Sequence, residues 1–180
     1  MLYIIVALKS EAQAFVERYK LKKSHLKTYT LYEDSERKVI VSGVGVGFSR
    51  DTTQTFIDYF DLSDDVIFLN VGICAAEEKY QIGDLLKIGS VTYGDTLYSF
   101  AEGENIFSLD EATYESLYEI VDMEAFGFYD AVSHSPAIKN FHILKVVSDH
   151  FTPQTVTKEQ TKTLIFNQID AINKIIFPKG

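Results

Sequence analysis

The chain of 180 residues has a single cysteine, Cys74, so no disulfide can form within it. That usage points to a reducing compartment, the cytoplasm. No stretch approaches the roughly 18 consecutive apolar residues of a membrane helix. The apolar start, Met1–Leu8, lacks the basic flank and small-residue cleavage site of a signal peptide. Positive charge is scarce: 17 Lys and Arg face 26 Asp and Glu, a formal net charge of −9, and only Arg18, Arg37 and Arg50 are arginines. Nucleic-acid partners need a dense field of Lys and Arg and are not expected. The short basic cluster Lys20, Lys22, Lys23 and Lys27 reads as a solvated face. His25, His134, His142 and His150 show no metal-ligand spacing, and Cys74 has no CxxC partner. No G-x-S-x-G elbow exists, and Ser148-Asp149-His150 are sequence neighbours that cannot stack as a relay. Gly43-x-Gly45 lacks the third glycine of a dinucleotide fingerprint, a position held by Phe48. Neither a metal nor a cofactor is expected.

What is present is the make-up of an ordinary soluble globule, with 46% hydrophobic and 24% charged residues. Leu2–Leu8, Val66–Val71 and Phe141–Val147 are near-continuous apolar runs, as in strands covered on both faces. Thr28–Tyr32 and Lys38–Val44 read as strands about a polar turn, Asp84–Tyr93 and Thr96–Phe100 as extended segments, and Ile120–Asp122 as a brief strand. Helices are predicted from Ser10, with Gln13 as capping-box partner, over Ser49–Phe60, over Glu111–Leu117 behind an Asp110 cap, and from Glu124. A tail helix carries Ile165, Ile169, Ile172 and Ile176 on one face and ends at Pro178. Strands alternating with helices predict one α/β domain over residues 1–180. The expected architecture is three layers, α/β/α, around a twisted, largely parallel or mixed sheet.

Carboxylates recur where buried strands end, which in open α/β sheets is where ligands bind. Glu11 follows the first strand, Glu124 follows Ile120–Asp122 behind Met123, and Asp149 follows the last strand beside Ser148. Each has a structural alternative as a helix-terminus charge or cap. Together they suggest paired acid and base roles.

At these residues the sequence resembles the purine nucleoside phosphorylase superfamily, most nearly its bacterial 5′-methylthioadenosine/S-adenosylhomocysteine nucleosidase branch. The resemblance rests on an ordered set of short segments: Val6-Ala-Leu-Lys-Ser-Glu11-Ala; Ser42-Gly-Val-Gly45; Asn70-Val-Gly72-Ile-Cys74-Ala-Ala76; Ile82-Gly83-Asp84; Val121-Asp-Met123-Glu124-Ala125; and Val147-Ser148-Asp149. They run from residue 1 to about 150. Between Asp95 and Val121 the chain is shorter than in that branch, and the branch's base-stacking segment S-G-D-x-F has no counterpart. Lys145 stands where an arginine commonly sits.

The resemblance implies a phosphorylase/hydrolase-like fold and cleavage of a ribosyl C–N bond. It casts Asp149, oriented by Ser148, as the acid that protonates the departing purine, for which burial shifts a carboxyl in the useful direction. Glu124 would bind the ribose hydroxyls with Met123 against the sugar, and Glu11 would deprotonate the attacking water. Gly72 and Cys74 complete the implied substrate contacts; Phe126, Tyr93, Phe100 and Phe107 are the aromatic candidates from which a base pocket is rebuilt in place of the missing segment. Phosphate as nucleophile calls for guanidinium forks, and none of the three arginines matches a phosphate-binding one, so water is the better nucleophile. A phosphorylase with a rearranged phosphate site remains an alternative, as does a non-catalytic nucleoside- or nucleobase-binding protein on the same scaffold. The resemblance further implies a homodimer.

Overall fold

The N-terminal apolar run forms β1 (Leu2–Val6), every residue of it buried. Because side chains alternate along a strand, Leu2, Ile4 and Val6 enter one core cluster, and Tyr3 and Ile5 the other. The same alternation governs β5 (Ile67–Ala76) and β10 (Phe141–Asp149), which pair in parallel next to β1. The first cluster is covered by α1 (Lys9–Tyr19) and α4 (Lys158–Ile176), the latter through Ile165, Ile169, Ile172 and Ile176. The second is covered by α2 (Val46–Tyr59) and α3 (Ala125–Ser133), through Val46, Phe56, Phe126, Phe128 and Val132. The result is the expected helix–sheet–helix sandwich. The structure is a computed structural model and describes residues 1–178.

The sheet is mixed rather than largely parallel. The N-terminal half adds β4 (Arg37–Val41), β3 (Tyr29–Glu33) and β2 (Lys22–Leu26) beyond β1. The C-terminal half adds β6 (Leu85–Tyr93), flanked by β7 (Thr96–Ser99), then β8 (Glu104–Ser108) and β9 (Ile120–Asp122). β9 returns to pair antiparallel with β5, so β5, β10, β6, β8 and β9 close a ring of five strands. This closure, which the alternating pattern of elements does not reveal, brings β9 and β10 to opposite sides of β5.

Several local expectations change. The basic cluster includes an edge strand: Lys22 and Lys23 are exposed on β2, and lysines there discourage pairing with another chain. The segment Glu104–Ser108 is also a strand, paired on both sides by distant partners. No helix forms over 111–117. Asp110, expected to cap it, instead accepts the Tyr93 hydroxyl at 2.9 Å, and Thr113 closes a local turn onto the Glu115 N–H at 3.2 Å. The first helix starts at Lys9, and the residue that reaches back to its N-cap is Glu11 rather than Gln13, whose amide bonds Tyr32.

α2 and α3 approach through Gly127, where an added Cβ would lie 2.0 Å from the Val46 carbonyl and 2.9 Å from the Arg50 nitrogen. Both contacts are backbone, so neither can rotate aside. Gly127→Ala is expected to lower stability by about 3 kcal/mol through overpacking, read as a drop in thermal midpoint; an unchanged midpoint would mean the helices separate freely.

Candidate active site

A cavity of about 240 Å³ opens at the carboxyl ends of β1, β5, β9 and β10. Glu11, Glu124, Met123, Cys74, Ser148 and Asp149 all line it. The three carboxylates, far apart in sequence, thus converge on one space.

Glu11 is brought there by the turn from β1 into α1, at the third position of the helix, where the orphan N–H groups favour an anion. Its Oε2 accepts the N–H groups of Ala7 and Leu8, each at 2.9 Å, and its Oε1 accepts that of Ile73 at 3.0 Å. It is 2% exposed. Burial pushes its carboxyl above the usual range, while the N–H groups of Leu8, Ile73 and Ala7 and the nearby Lys145 pull the other way.

Glu124 sits at the junction of β9 and α3, as N-cap of the helix. Its Oε1 accepts the Gly45 N–H at 3.1 Å, which ties it to the glycine turn before α2, and its Oε2 lies 3.3 Å from the Met123 nitrogen. Burial, and then the neighbouring Asp122, push its carboxyl up to about 7.

Asp149 ends β10, just after a bulge between Val147 and Asp149. A bulge lets successive residues reach one side, and both Ser148 and Asp149 line the cavity. The Ser148 hydroxyl lies 2.6 Å from Asp149 Oδ1 and 3.1 Å from the Cys74 carbonyl, and the Thr152 N–H donates to Oδ2 at 2.8 Å. That last bond closes a turn in which Phe151 takes φ +60. A non-glycine residue there costs roughly 1–2 kcal/mol, strain of the kind that fixed functional turns retain. His150 donates Nδ1–H to the Ala76 carbonyl at 2.8 Å.

Not every expected residue plays the part foreseen. Gly72 is not in the cavity lining: a Cβ there would meet Glu11 Oε1 at 3.0 Å and Lys145 Nζ at 3.4 Å. Its lack of a side chain makes room for those charges rather than for a ligand. Phe126 is also outside the lining, stacked on Tyr93 with ring centroids 4.3 Å apart. Phe107 packs on Tyr118, and Phe100 on Tyr129. Cys74 reaches the cavity wall, but burial pushes its thiol pKa up, so it remains neutral and is no nucleophile.

The structure adds residues that the sequence did not single out. Leu109, Glu111, Ala112 and Thr113 form one wall of the cavity, in the segment read as a helix. Asp122 is another. Its Oδ1 accepts the Ser108 hydroxyl at 2.7 Å, and its Oδ2 accepts the Ala125 N–H and the Lys145 ammonium, both at 2.8 Å. A charge at an inward position of an apolar strand, as Lys145 is in Phe141–Val147, was the available signal for this pair. Among the described residues no group of three or more His, Cys, Asp or Glu is arranged to hold a metal ion.

No protein-family model and no curated protein matches the chain. Solved structures do. The chain has the fold of the 5′-methylthioadenosine/S-adenosylhomocysteine nucleosidases, an α/β fold shared with nucleoside phosphorylases. It superimposes on that nucleosidase from Neisseria meningitidis, in complex with methylthio-immucillin-A, with a TM-score of 0.78 and 17% identity over 97% of each chain. On the Arabidopsis thaliana 5′-methylthioadenosine nucleosidase the TM-score is 0.75 at 16% identity, over 99% of this chain and 96% of that one. A futalosine hydrolase of Helicobacter pylori matches with a TM-score of 0.72 at 15% identity, over 94% and 97% of the two chains.

Proposed function

We propose that the protein hydrolyses the N-glycosidic bond of a purine ribonucleoside, with or without a 5′ modification. The observation that carries this reading is the convergence of Glu11, Glu124 and Asp149, from three separate strand ends, on one cavity. Binding a nucleoside requires no such trio; breaking a ribosyl C–N bond uses all three. A purine departs poorly as an anion, so an acid must protonate it. Asp149, held by Ser148 and Thr152, takes that step in this reading. Departure leaves an oxocarbenium-like ribose, whose charge an adjacent carboxylate stabilises. Glu124, with Met123 beside it, serves that role and takes the ribose hydroxyls. Glu11, fixed by three N–H groups, accepts a proton from the attacking water.

Water is favoured over phosphate by where the guanidinium groups lie. Arg18 pairs with Asp170, Arg37 with Asp34 and Glu36, and Arg50 with Asp130; none lines the cavity. The lining instead carries the acidic side chains Glu11, Glu111, Asp122, Glu124 and Asp149, with no guanidinium fork to pair a phosphate. Similarity of fold to nucleosidases crystallised with nucleoside analogues and with adenine fits the same substrate class. Leu109, Glu111, Ala112 and Thr113 supply the wall offered to the base.

The purified protein incubated with methylthioadenosine, S-adenosylhomocysteine, inosine, adenosine and futalosine, with and without phosphate, should release free base and sugar from at least one of them without phosphate. Release only with phosphate would make it a phosphorylase. Tight nucleoside binding with no release would make it a binding protein on this scaffold.

A further inference from the structure

Lys145 and Asp122 have no part in the chemistry above, yet their side chains are 1% and 0% exposed and 2.8 Å apart. A buried ion pair is weak evidence for stability, since desolvation offsets the attraction. The pair's surroundings give another reason for it. Lys145 projects from β10 towards Asp122 of β9, Glu124 at the start of α3 and Glu11 of α1, all of which act electrostatically on it. It meets Glu11 across Gly72, where both crowd the position of a missing Cβ. From β5 it faces the Cys74 thiol, which is neutral, and Asp149 lies on its own strand, bound by Ser148 and Thr152.

Three carboxylates therefore share one ammonium. Fully ionised, the four groups would carry a net charge of −2 in a space largely closed to water, and like charges so placed do not all ionise. The hydrogen bonds decide which carboxyl keeps a proton. Asp122 accepts from Ser108, Ala125 and Lys145. Glu11 accepts three N–H groups and has Lys145 beside it. Glu124 has only the Gly45 N–H at 3.1 Å and the N–H of its own neighbour Met123 at 3.3 Å.

We propose that Lys145, clamped by Asp122, is a positioning residue that keeps Glu11 ionised and leaves the cluster's proton on Glu124. The base and the ribose-binding carboxylate are then not interchangeable, although both are buried glutamates. Burial raises both glutamates, Glu124 to about 7, and the order between them follows from the three N–H groups and the ammonium at Glu11. The roles rest on the nucleosidase reading; the charge assignment does not. In the working enzyme Glu124 releases its proton to solvent before it can stabilise a ribosyl cation, so kcat/KM should rise with pH through that titration.

The test is a 13C NMR titration of the glutamate carboxyls, assigned by the loss of one signal in Glu11→Gln or Glu124→Gln. In the unmodified protein Glu124 should titrate near neutrality and Glu11 at a lower pH than Glu124, although burial raises it too. Lys145→Met should raise the Glu11 midpoint by at least about one pH unit, a tenfold gain in proton affinity, whereas Lys145→Arg restores it. Asp122→Asn should lower the Glu124 midpoint by a similar amount, because it removes a like charge. An unmoved Glu11 midpoint in folded Lys145→Met overturns the proposal. If that variant does not fold, Asp122→Asn decides alone, an unmoved Glu124 midpoint overturning it. The titration needs no substrate. Shifts in a protein that cleaves no nucleoside would retain the charge assignment and remove the function, and cleavage with unmoved midpoints would do the reverse.

Discussion

Asp149→Asn is expected to lower the rate of purine release by roughly 10³-fold, within the range that a positioned general acid contributes, while the protein keeps its fold. The hydrogen bonds explain both halves of this expectation. The asparagine oxygen can accept the Thr152 N–H in place of Oδ2, and its amide can donate to the Ser148 hydroxyl, which then donates to the Cys74 carbonyl 3.1 Å away. No buried polar group is orphaned, so the turn at Phe151 persists and the thermal midpoint should move little. What disappears is the proton, since a carboxamide cannot deliver one to a departing base. A substrate that needs no proton separates this role from a general disturbance of the site. With 4-nitrophenyl riboside, whose leaving group departs as a stable anion, the same variant should lose far less activity than with a purine nucleoside. Equal losses on both substrates would remove Asp149 from the acid role and leave it as a wall of the cavity.

How much of this was legible in the sequence depended on whether the determining contacts were local. β1, β5, β9, β10 and α4 were readable because a strand buried on both faces, or a helix with one buried face, writes its environment into consecutive residues. The carboxylates at the strand ends were readable for the same reason, being next to such runs. β8 was not, because Glu104–Ser108 is short and half polar and owes its state to pairing with β6, across β7, and with β9, across a loop. The closure of the ring was hidden likewise, since register between distant strands leaves no trace in either strand alone. Phe126 shows the limit in the other direction. Its aromatic ring made it a candidate for the base, but on α3 that ring packs on Tyr93 instead. Lys145 was visible as an anomaly in an apolar run. Only the fold showed which carboxylates it serves.

Glu11→Gln is expected to be as damaging to hydrolysis as the loss of the acid, again by roughly 10³-fold, but with a different signature. Glu11 is surrounded by donors: the N–H groups of Ala7, Leu8 and Ile73 all point at its two oxygens. A glutamine has one acceptor oxygen, so its NH2 must face at least one of these N–H groups, and a buried donor is left unpaired at a cost of about 1–3 kcal/mol. This variant should therefore melt earlier than Asp149→Asn. Against that stands the removal of one negative charge from the cluster around Lys145, which lowers the proton affinity of Glu124, because Glu11 is among the charges that raise it. The pH at which the remaining activity appears should accordingly move down, not up. Azide distinguishes a missing base from a collapsed site. It attacks without losing a proton, so it should restore turnover in Glu11→Gln and yield a ribosyl azide, while leaving Asp149→Asn unrescued, whose defect lies with the leaving group. If azide rescued neither variant, or both, Glu11 would not be the group that activates water.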